Sequence, residues 1–302
     1  MQAADRRPST EEPPMPQVTT PRGVIEYRED GDPNGVPVVL VHGFPDGPST
    51  WDAVVAALPA GLRIVRPSLR GVGGSSVRPV ERSGQVAALA TDLLDLFDAL
   101  DLHDALLVGH DWGSRTAHAV AAVAPERLRG LVTIATAYGP RTGLTVQESL
   151  DDAAVAWYRW WLCTDVGETA FRRSPDELLV WSWDHWSPPN TIPAEERATL
   201  LASFTSDEFV DTVVHYYRHG AGEAPGNPRY ADLQTTLDAW PVIRVPTTFI
   251  VGDADGCETV AAARDARSSF DGDFRLVELA GVGHFVQREA SAEVVAAITE
   301  RL

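Results

Sequence analysis

Cysteine is nearly absent from the 302-residue chain, which contains only Cys163 and Cys257. The two residues are far apart and lack the spacing of a metal site, so neither a disulfide framework nor a thiolate zinc site is expected. Residues 1–20 lack the apolar run of a signal peptide and are rich in proline, threonine and charge, which predicts a disordered lead-in. These features favour a reducing cytoplasm as the location.

Basic residues and long apolar runs are also scarce. The chain has 25 basic and 43 acidic residues, which give a formal net charge of −18. A charge of this sign repels nucleic acid and anionic membrane surfaces. No run of about 18 apolar residues occurs, so no transmembrane helix is predicted. The sequence therefore argues against nucleic acid and membrane as partners.

The chain does have the composition of a packed protein, with 44% hydrophobic and 23% charged residues. Its length suits one large α/β domain that carries a smaller insertion. Short apolar, β-branched runs alternate with amphipathic stretches, which predicts a mostly parallel, doubly wound sheet. The predicted strands cover residues 36–43, 62–68, 105–110, 131–137, 245–253 and 274–280, and helices are predicted at 85–100, 114–123 and 291–302.

The alternation of strands and helices stops between residues 139 and 239. This segment has long helical patterns and no strand-like run, and together with Trp240 at its edge it holds seven of the nine tryptophans. So many aromatic residues must cover an apolar surface, so we predict a helical cap inserted over a hydrophobic pocket. The predicted core then comprises residues 21–138 and 240–302.

The strongest local signal is Gly109-His110-Asp111-Trp112-Gly113, which joins a predicted strand to a predicted helix. This is the pattern of a nucleophile elbow with aspartate in place of serine, and its glycines permit a turn too sharp for side chains. It predicts that Asp111 projects its carboxylate into the pocket as a nucleophile. In the alternative, Asp111 only caps the following helix. That alternative is disfavoured because the expected companion residues follow in the expected order.

Three companions complete the predicted site. The sequence His42-Gly43-Phe44-Pro45 follows an early strand, and the backbone N–H groups of Phe44 and Trp112 are predicted to form an oxyanion hole. His284 follows the last predicted strand and is the predicted base. Asp255 is preferred over Asp253 as the acid that orients His284, and Asp253 is interpreted as a turn residue.

In these motifs and their order, residues 20–302 resemble the α/β-hydrolase-fold superfamily. Within it, they resemble the epoxide hydrolases and haloalkane dehalogenases that use an aspartate nucleophile. The resemblance implies that Asp111 attacks a carbon atom to form an alkyl-enzyme ester. It further implies that His284, held by Asp255, activates the water that hydrolyses this ester. Neither a cofactor nor a metal is expected.

Epoxide hydrolases of this type resemble one another in placing two cap tyrosines over the nucleophile. Tyr158 stands where the early tyrosine is expected, and Tyr217, in the pair Tyr217-Arg218, matches the late one. The resemblance implies that their phenols bind the epoxide oxygen, whereas ordinary packing is the alternative for each of them. Residues 181–189, with the sequence WSWDHWSPP, depart from the family pattern and leave the substrate open.

A haloalkane dehalogenase with the same triad stays an alternative, because Trp112 also occupies the halide-binding position of those enzymes. Against it, Phe44 stands where many of them have an asparagine that binds halide. A fluoroacetate-type dehalogenase is disfavoured because only Arg115 is left to bind a substrate carboxylate, and with it a charged acid substrate is disfavoured. A noncatalytic binding protein on this fold is a further alternative. A serine esterase is disfavoured because no G-x-S-x-G motif occurs.

The sequence therefore predicts an α/β-hydrolase-fold enzyme that opens an apolar or aromatic epoxide to a vicinal diol without a cofactor. The expected partner is a small apolar epoxide or a related electrophile. The oligomeric state stays open, a homodimer included. Beyond the residues already named, the predicted substrate pocket contains His42, Pro45, Trp161 and Phe285.

Overall fold

The structure is a computed structural model that describes residues 15–302. Nine strands occur within this range, and most of them are short and buried. They are β1 (Gln17–Thr19), β2 (Gly23–Gly31), β3 (Val36–Val41), β4 (Leu62–Pro67), β5 (Ser76–Val77), β6 (Ala105–His110), β7 (Leu128–Ile134), β8 (Thr247–Gly252) and β9 (Phe274–Leu279).

The strands form one sheet in the order β1-β2-β4-β3-β6-β7-β8-β9, and β5 pairs with the first two residues of β2. Neighbouring strands from β4 to β9 run parallel, whereas β2 pairs antiparallel with β1, β4 and β5. The carboxyl ends of β3, β6 and β8 therefore meet at one edge of the sheet. This edge is where ligands bind in open α/β sheets.

Thirteen α-helices lie within residues 15–302. They are α1 (Asp52–Ala57), α2 (Val86–Ala99), α3 (Trp112–Val123), α4 (Val146–Val155), α5 (Trp157–Cys163), α6 (Asp165–Arg173), α7 (Pro175–His185), α8 (Ala194–Ser203), α9 (Asp207–Gly220), α10 (Ala231–Asp238), α11 (Val260–Asp265), α12 (Val286–Glu289) and α13 (Ser291–Arg301).

The sheet is covered by helices on both faces. One hydrophobic cluster joins the sheet to α2, α3 and α11, and a second joins it to α1, α12 and α13. The strands between these layers are buried on both sides, which is why they read as continuous apolar runs in the sequence. The predicted α/β-hydrolase fold, with its doubly wound and mostly parallel sheet, is confirmed.

The amino-terminal prediction needs a correction. Residues 1–14 of the predicted disordered lead-in lie outside the described residues. Residues Gln17–Thr19 are ordered as β1 and pair with Val24–Glu26 of β2. A strand of three residues carries too little periodicity to be recognised from the sequence, and its order comes from pairing with β2.

The segment between β7 and β8, residues 139–239, was predicted as a cap and is called the cap segment below. It contains α4 to α10 and no strand. A third hydrophobic cluster lies between this segment and the core, and it is rich in aromatic side chains. Its aromatic members are Phe44, Trp112, Tyr158, Phe171, Trp183, Trp186, Phe204, Phe209, Tyr216, Tyr217 and Phe285.

No helix within residues 15–302 is both long enough and apolar enough to cross a bilayer.

Candidate active site

Asp111 occupies the sharp turn between β6 and α3. Its backbone has φ 51° and ψ −112°, a left-handed conformation that non-glycine residues rarely adopt. A Cβ atom on Gly113 would lie 2.1 Å from the Val41 carbonyl oxygen, and one on Gly109 would lie 2.3 Å from the Gly113 carbonyl oxygen. The two glycines are therefore required sterically, as the elbow pattern predicts.

The loop after β3 lies directly against this turn. The backbone N–H of Phe44 donates a hydrogen bond to Asp111 Oδ1 at 2.9 Å. A Cβ on Gly43 would lie 2.4 Å from Asp111 Cβ, so only glycine allows this approach. Trp112, the other predicted oxyanion donor, contributes the first residue of α3, where backbone N–H groups have no partner within the helix.

His284 and Asp255 form a buried pair beside Asp111. His284 Nδ1 lies 3.1 Å and 3.0 Å from the two carboxylate oxygens of Asp255. Asp255 Oδ1 also accepts hydrogen bonds from the backbone N–H groups of Cys257 and Glu258, which fix its orientation. Asp253 instead accepts from the Gly281 N–H at the surface. The structure therefore brings Asp255 to the histidine and leaves Asp253 in a turn.

The contacts of His284 define its tautomer. Nδ1 faces a carboxylate, so it carries a proton and Nε2 is left as the basic nitrogen. Nε2 lies 3.7 Å from Asp111 Oδ2 and makes no hydrogen bond within the described residues. Burial disfavours the charged ring, but the charge and hydrogen bond of Asp255 outweigh it and raise the pKa of His284.

The unusual WSWDHWSPP stretch bonds to the loops that carry Asp255 and His284. The Trp186 carbonyl oxygen accepts hydrogen bonds from the Gly256 N–H at 3.1 Å and from the His284 N–H at 2.9 Å. The next residue, Ser187, accepts from the Phe285 N–H at 3.1 Å. The cap segment thus fixes the backbone positions of the Asp255 loop and the His284 loop relative to each other.

A cavity of about 610 Å³ extends from Asp111 between the core and the cap segment. Core residues form its floor and cap residues form its roof. Lining side chains that carry polar groups are Asp111, Trp112, Arg115, His118, Tyr138, Tyr158, Arg159, Trp160, Tyr216, Tyr217, His219, Gln234, Asp238 and Trp240.

The two predicted cap tyrosines meet above Asp111, with ring centroids 5.5 Å apart at an interplanar angle of 83°. Tyr217 Oη accepts a hydrogen bond from Trp112 Nε1 at 3.2 Å. Tyr158 Oη accepts one from Arg159 Nε at 3.3 Å and lies 3.0 Å from Cys257 Sγ. Burial raises the pKa of both phenols well above the usual value, so both keep their protons at neutral pH.

The other predicted pocket residues, His42, Pro45, Trp161 and Phe285, do not line this cavity. His42 is fully buried between the Gly43 carbonyl oxygen and the Leu69 N–H.

Pro45, Trp161 and Phe285 make structural contacts instead. The Pro45 carbonyl oxygen accepts from Trp183 Nε1 at 2.7 Å. Trp161 packs against Trp157 within the cap segment, and Phe285 packs behind His284. Motif position identified residues near the site, but it did not indicate which side chains face the cavity.

Sequence analysis missed several cavity residues. Arg115 was weighed only as a ligand for a small acid, although it lies on the first turn of α3, bonds through its backbone N–H to the Asp111 carbonyl oxygen and lines the same cavity. Tyr216 stacks on Trp112 with ring centroids 4.0 Å apart and was overlooked beside Tyr217. Arg159, which lines the cavity, and the buried Cys257 behind it both contact Tyr158 and carried no periodic or motif signal.

One group of three potential metal ligands occurs within residues 15–302. It consists of Asp111, Cys257 and His284, whose ligand atoms lie within 4.8 Å of one another. Two of the three belong to the predicted triad, and burial strongly raises the pKa of the Cys257 thiol, which disfavours the thiolate that a metal needs. The arrangement therefore fits acid–base and nucleophilic chemistry better than a resident metal.

Comparison with known proteins places the chain in a family. The sequence profile described as alpha/beta hydrolase fold matches residues 36–291. An epoxide hydrolase from Caballeronia sordidicola is 30% identical over 86% of this chain and 85% of its own length. Haloalkane dehalogenase 2 from Mycobacterium bovis is 28% identical over 93% of this chain and 92% of its own length.

A solved structure shows the same similarity. A protein from Klebsiella pneumoniae, provisionally named an epoxide hydrolase, superposes with a TM-score of 0.85 at 30% identity. The match covers 95% of this chain and 96% of that one. The chain belongs to the α/β-hydrolase fold family and is a hydrolase.

Proposed function

We propose that this protein is an epoxide hydrolase that opens an apolar or aromatic epoxide to a vicinal diol. The observation that carries the proposal is that one cavity contains both the Asp111 carboxylate and the phenols of Tyr158 and Tyr217. A carboxylate supplies a nucleophile for an epoxide carbon, and two phenols supply hydrogen bonds for the oxygen that departs from it. Epoxide hydrolases among the relatives agree with this class of substrate.

In the first step, a carboxylate oxygen of Asp111 attacks one epoxide carbon. The carbon–oxygen bond of the ring breaks, and an ester forms between Asp111 and the substrate. The negative charge that develops on the epoxide oxygen is stabilised by the two phenols, and a proton from one of them yields the hydroxyl group of the ester intermediate. The Phe44 N–H, which binds Asp111 Oδ1, orients the carboxylate for this attack.

The hydrogen bonds of the two phenols prepare them as donors. Tyr217 accepts from Trp112, and Tyr158 accepts from Arg159, so each oxygen already has a donor and keeps its own proton. Burial raises the pKa of both groups and keeps that proton in place until the ring opens. The arrangement supports hydrogen bonding to an oxygen atom between the two rings.

In the second step, His284 Nε2 takes a proton from water, and the resulting hydroxide attacks the ester carbonyl carbon. The Phe44 and Trp112 N–H groups stabilise the oxyanion, and collapse of the tetrahedral intermediate releases the diol and restores the Asp111 carboxylate. Asp255 stabilises the imidazolium that forms, from its position against Nδ1. The proton that His284 has taken then returns to the tyrosine that gave one up in the first step, which restores both groups. No cofactor or metal takes part in either step.

Haloalkane dehalogenation is the alternative for the same triad. It needs N–H donors for the leaving halide, and the Trp112 indole N–H would be one of them. That group donates to Tyr217 at 3.2 Å, and Phe44 has no side-chain donor to replace it. Epoxide opening is favoured for this reason.

A noncatalytic binding protein would have no use for the buried His284–Asp255 pair.

The test is turnover of a mixed panel of aryl and alkyl epoxides and bromoalkanes of matched size. Diol formation from epoxides without bromide release from bromoalkanes supports the proposal. Bromide release as the faster reaction would favour a dehalogenase. Binding of panel members without any turnover, unchanged in Asp111→Asn, would favour a binding protein.

A further inference from the structure

Arg115 gives the cavity a cationic side that the proposed reaction does not use. It lies on α3 four residues after Asp111 and lines the same cavity. The Arg115 backbone N–H donates to the Asp111 carbonyl oxygen at 3.0 Å, so the two residues lie about 6 Å apart along the helix axis. A group bound to the Arg115 guanidinium would therefore lie within one small molecule's length of the reacting carbon.

The charge of Arg115 is not neutralised by the protein. Among residues 15–302, its guanidinium makes no ion pair and no hydrogen bond, whereas the other cavity arginine, Arg159, lies 3.6 Å from a Glu258 carboxylate oxygen. Arginine supplies all 25 basic residues of the chain, and nearly all the described ones contact a carboxylate. An uncompensated arginine is thus an exception in a protein with a net charge of −18.

Tyr216 is a second, independent indication of a ligand at this place. Its side chain lines the cavity and is about nine-tenths buried, with 9% of its surface exposed. Its hydroxyl group has no hydrogen-bond partner within the described residues. A buried hydroxyl group without a partner is unfavourable, so a ligand atom is expected there. Burial raises the pKa of Tyr216 to about 12, which keeps the group a donor.

The other titratable groups around this site include His118, His219, Asp238 and the Asp111 carboxylate itself. His118 is buried, and burial together with the charge of Arg115 lowers the pKa of its ring to about 3, so it is neutral. Asp238 is exposed and accepts a hydrogen bond from Gln234. His219 has a pKa lowered by burial and by His215. Neither histidine adds a positive charge, and neither Asp111 nor Asp238 pairs with Arg115 among the described residues, so its guanidinium is free to bind one carboxylate.

We propose that the substrate is an epoxide that carries a carboxylate, bound by the Arg115 guanidinium with Tyr216 as a second donor. The planar guanidinium matches the two oxygens of a carboxylate, and the aromatic lining accommodates the apolar body between the carboxylate and the oxirane. The inference rests on the proposed epoxide hydrolysis and assigns its substrate class. It departs from the sequence-based expectation that a charged acid substrate is disfavoured.

The kinetic test compares 4-(oxiran-2-yl)benzoate with the neutral 4-(oxiran-2-yl)benzamide, which has nearly the same shape. We expect kcat/KM of the native protein to be roughly 10- to 100-fold higher for the benzoate, mainly through KM, because one charge-assisted hydrogen-bonded pair contributes this much. Arg115→Met should remove the preference, and Arg115→Lys should keep part of it. Arg173→Met is the control, because Arg173 is exposed, has no ion pair among the described residues and lies outside the cavity.

Equal values for the two substrates, or a preference that survives in Arg115→Met, would overturn the inference. If both epoxides are hydrolysed without a preference, the proposed hydrolysis stands and only the carboxylate site fails. If neither epoxide is hydrolysed, the proposed function fails. The carboxylate site is then tested by a binding measurement that does not depend on turnover.

The binding measurement is calorimetry with 4-ethylbenzoate and 4-ethylbenzamide, which cannot react. Tighter binding of the benzoate that is lost in Arg115→Met and weakened in Tyr216→Phe supports the site. Equal binding of the two compounds, or a difference that does not depend on Arg115, contradicts it.

Discussion

The Trp112 indole N–H donates a hydrogen bond to Tyr217 Oη at 3.2 Å, so the residue beside the predicted nucleophile is tied to a tyrosine of the cap segment. This contact links the two chemistries that the sequence left open. The same indole N–H would bind a departing halide in a dehalogenase, and the same phenol would bind the oxygen of an opening epoxide. The indole N–H already bonds to Tyr217, and the Tyr217 phenol keeps its own proton to donate. Both observations favour epoxide opening over halide release.

The first prediction concerns Tyr217→Phe. Removing the phenol oxygen frees the Trp112 N–H and removes one donor to the epoxide oxygen. We expect kcat for epoxides to fall roughly 100-fold, the usual cost of losing one such donor. Bromide should bind more tightly than in the native protein, measured by quenching of tryptophan fluorescence. Unchanged epoxide turnover would mean that Tyr217 is only a packing residue.

The second prediction separates the two chemical steps through Tyr158→Phe. Because the phenol acts only while the epoxide ring opens, formation of the ester should slow roughly 100-fold while its hydrolysis keeps its rate. Rapid mixing with a single turnover of a chromogenic epoxide measures both rates. Tyr27→Phe, on β2 and outside the cavity, is the control. Slower hydrolysis with normal ester formation would assign Tyr158 a different role.

The third prediction concerns the pH dependence of ester hydrolysis. His284 must be neutral to act as a base, so the rate should fall as the pH decreases through the pKa of His284. Burial lowers this pKa, but the nearby carboxylates, Asp255 foremost, outweigh burial and hold it above 6.5. In Asp255→Asn the largest contribution that raises this pKa is lost, so the acidic limb should move to lower pH. The rate at its plateau should also fall roughly 10³- to 10⁴-fold.

The control for this experiment is Asp253→Asn. Asp253 lies at the surface and bonds only to the Gly281 N–H, so its replacement should leave the pH profile in place. A shift of the profile in Asp253→Asn that equals the shift in Asp255→Asn would show that the structure assigns the wrong acid.

The fourth prediction tests the contact between the loop after β3 and the elbow. In Gly43→Ala the new methyl group would lie 2.4 Å from Asp111 Cβ and 2.6 Å from the His110 carbonyl oxygen. The loop must move away, which weakens the Phe44–Asp111 hydrogen bond and lowers both kcat and the free energy of unfolding, the latter by about 1–3 kcal/mol. Urea denaturation and steady-state kinetics measure these effects.

Gly47→Ala is the matched control, because its added methyl group meets only the end of the Leu200 side chain at 3.4 Å. In this control, neither kcat nor the free energy of unfolding should change by a comparable amount. If Gly43→Ala is as active and stable as Gly47→Ala, the close approach of the loop to Asp111 is not required.

The proximity of the three predicted triad residues could be anticipated from the sequence because each one follows a parallel strand and carries a local signature. Asp111 lies between two glycines at the end of β6, and Asp255 and His284 follow β8 and β9. The parallel sheet places these strand ends at one edge, so order along the chain is enough to bring the residues together. The helical cap segment is recognisable from the loss of alternation and the density of aromatic residues.

Cavity-lining residues depend instead on side-chain direction within a folded cap, which local patterns do not encode. His42 turns toward the Leu69 N–H, and Phe285 packs against His284, although both stand in motifs that were predicted to be catalytic. Tyr158 contacts Cys257 from a helix that is 99 residues away in sequence, and no local signal links them. Arg115 is the exception, since its spacing from Asp111 on α3 was available from the sequence.

The central claim is that Asp111 forms an ester with an epoxide, and the fifth prediction tests it directly. In His284→Gln the second step should stall, because no base activates water. Incubation with the panel of epoxides and bromoalkanes, followed by mass measurement of the intact protein, should show the gain of one whole epoxide. The gain should be absent when Asp111→Asn is added. An adduct that persists without Asp111, or the absence of an adduct from every epoxide, would contradict the account, and gain of an alkyl group from a bromoalkane alone would identify a dehalogenase.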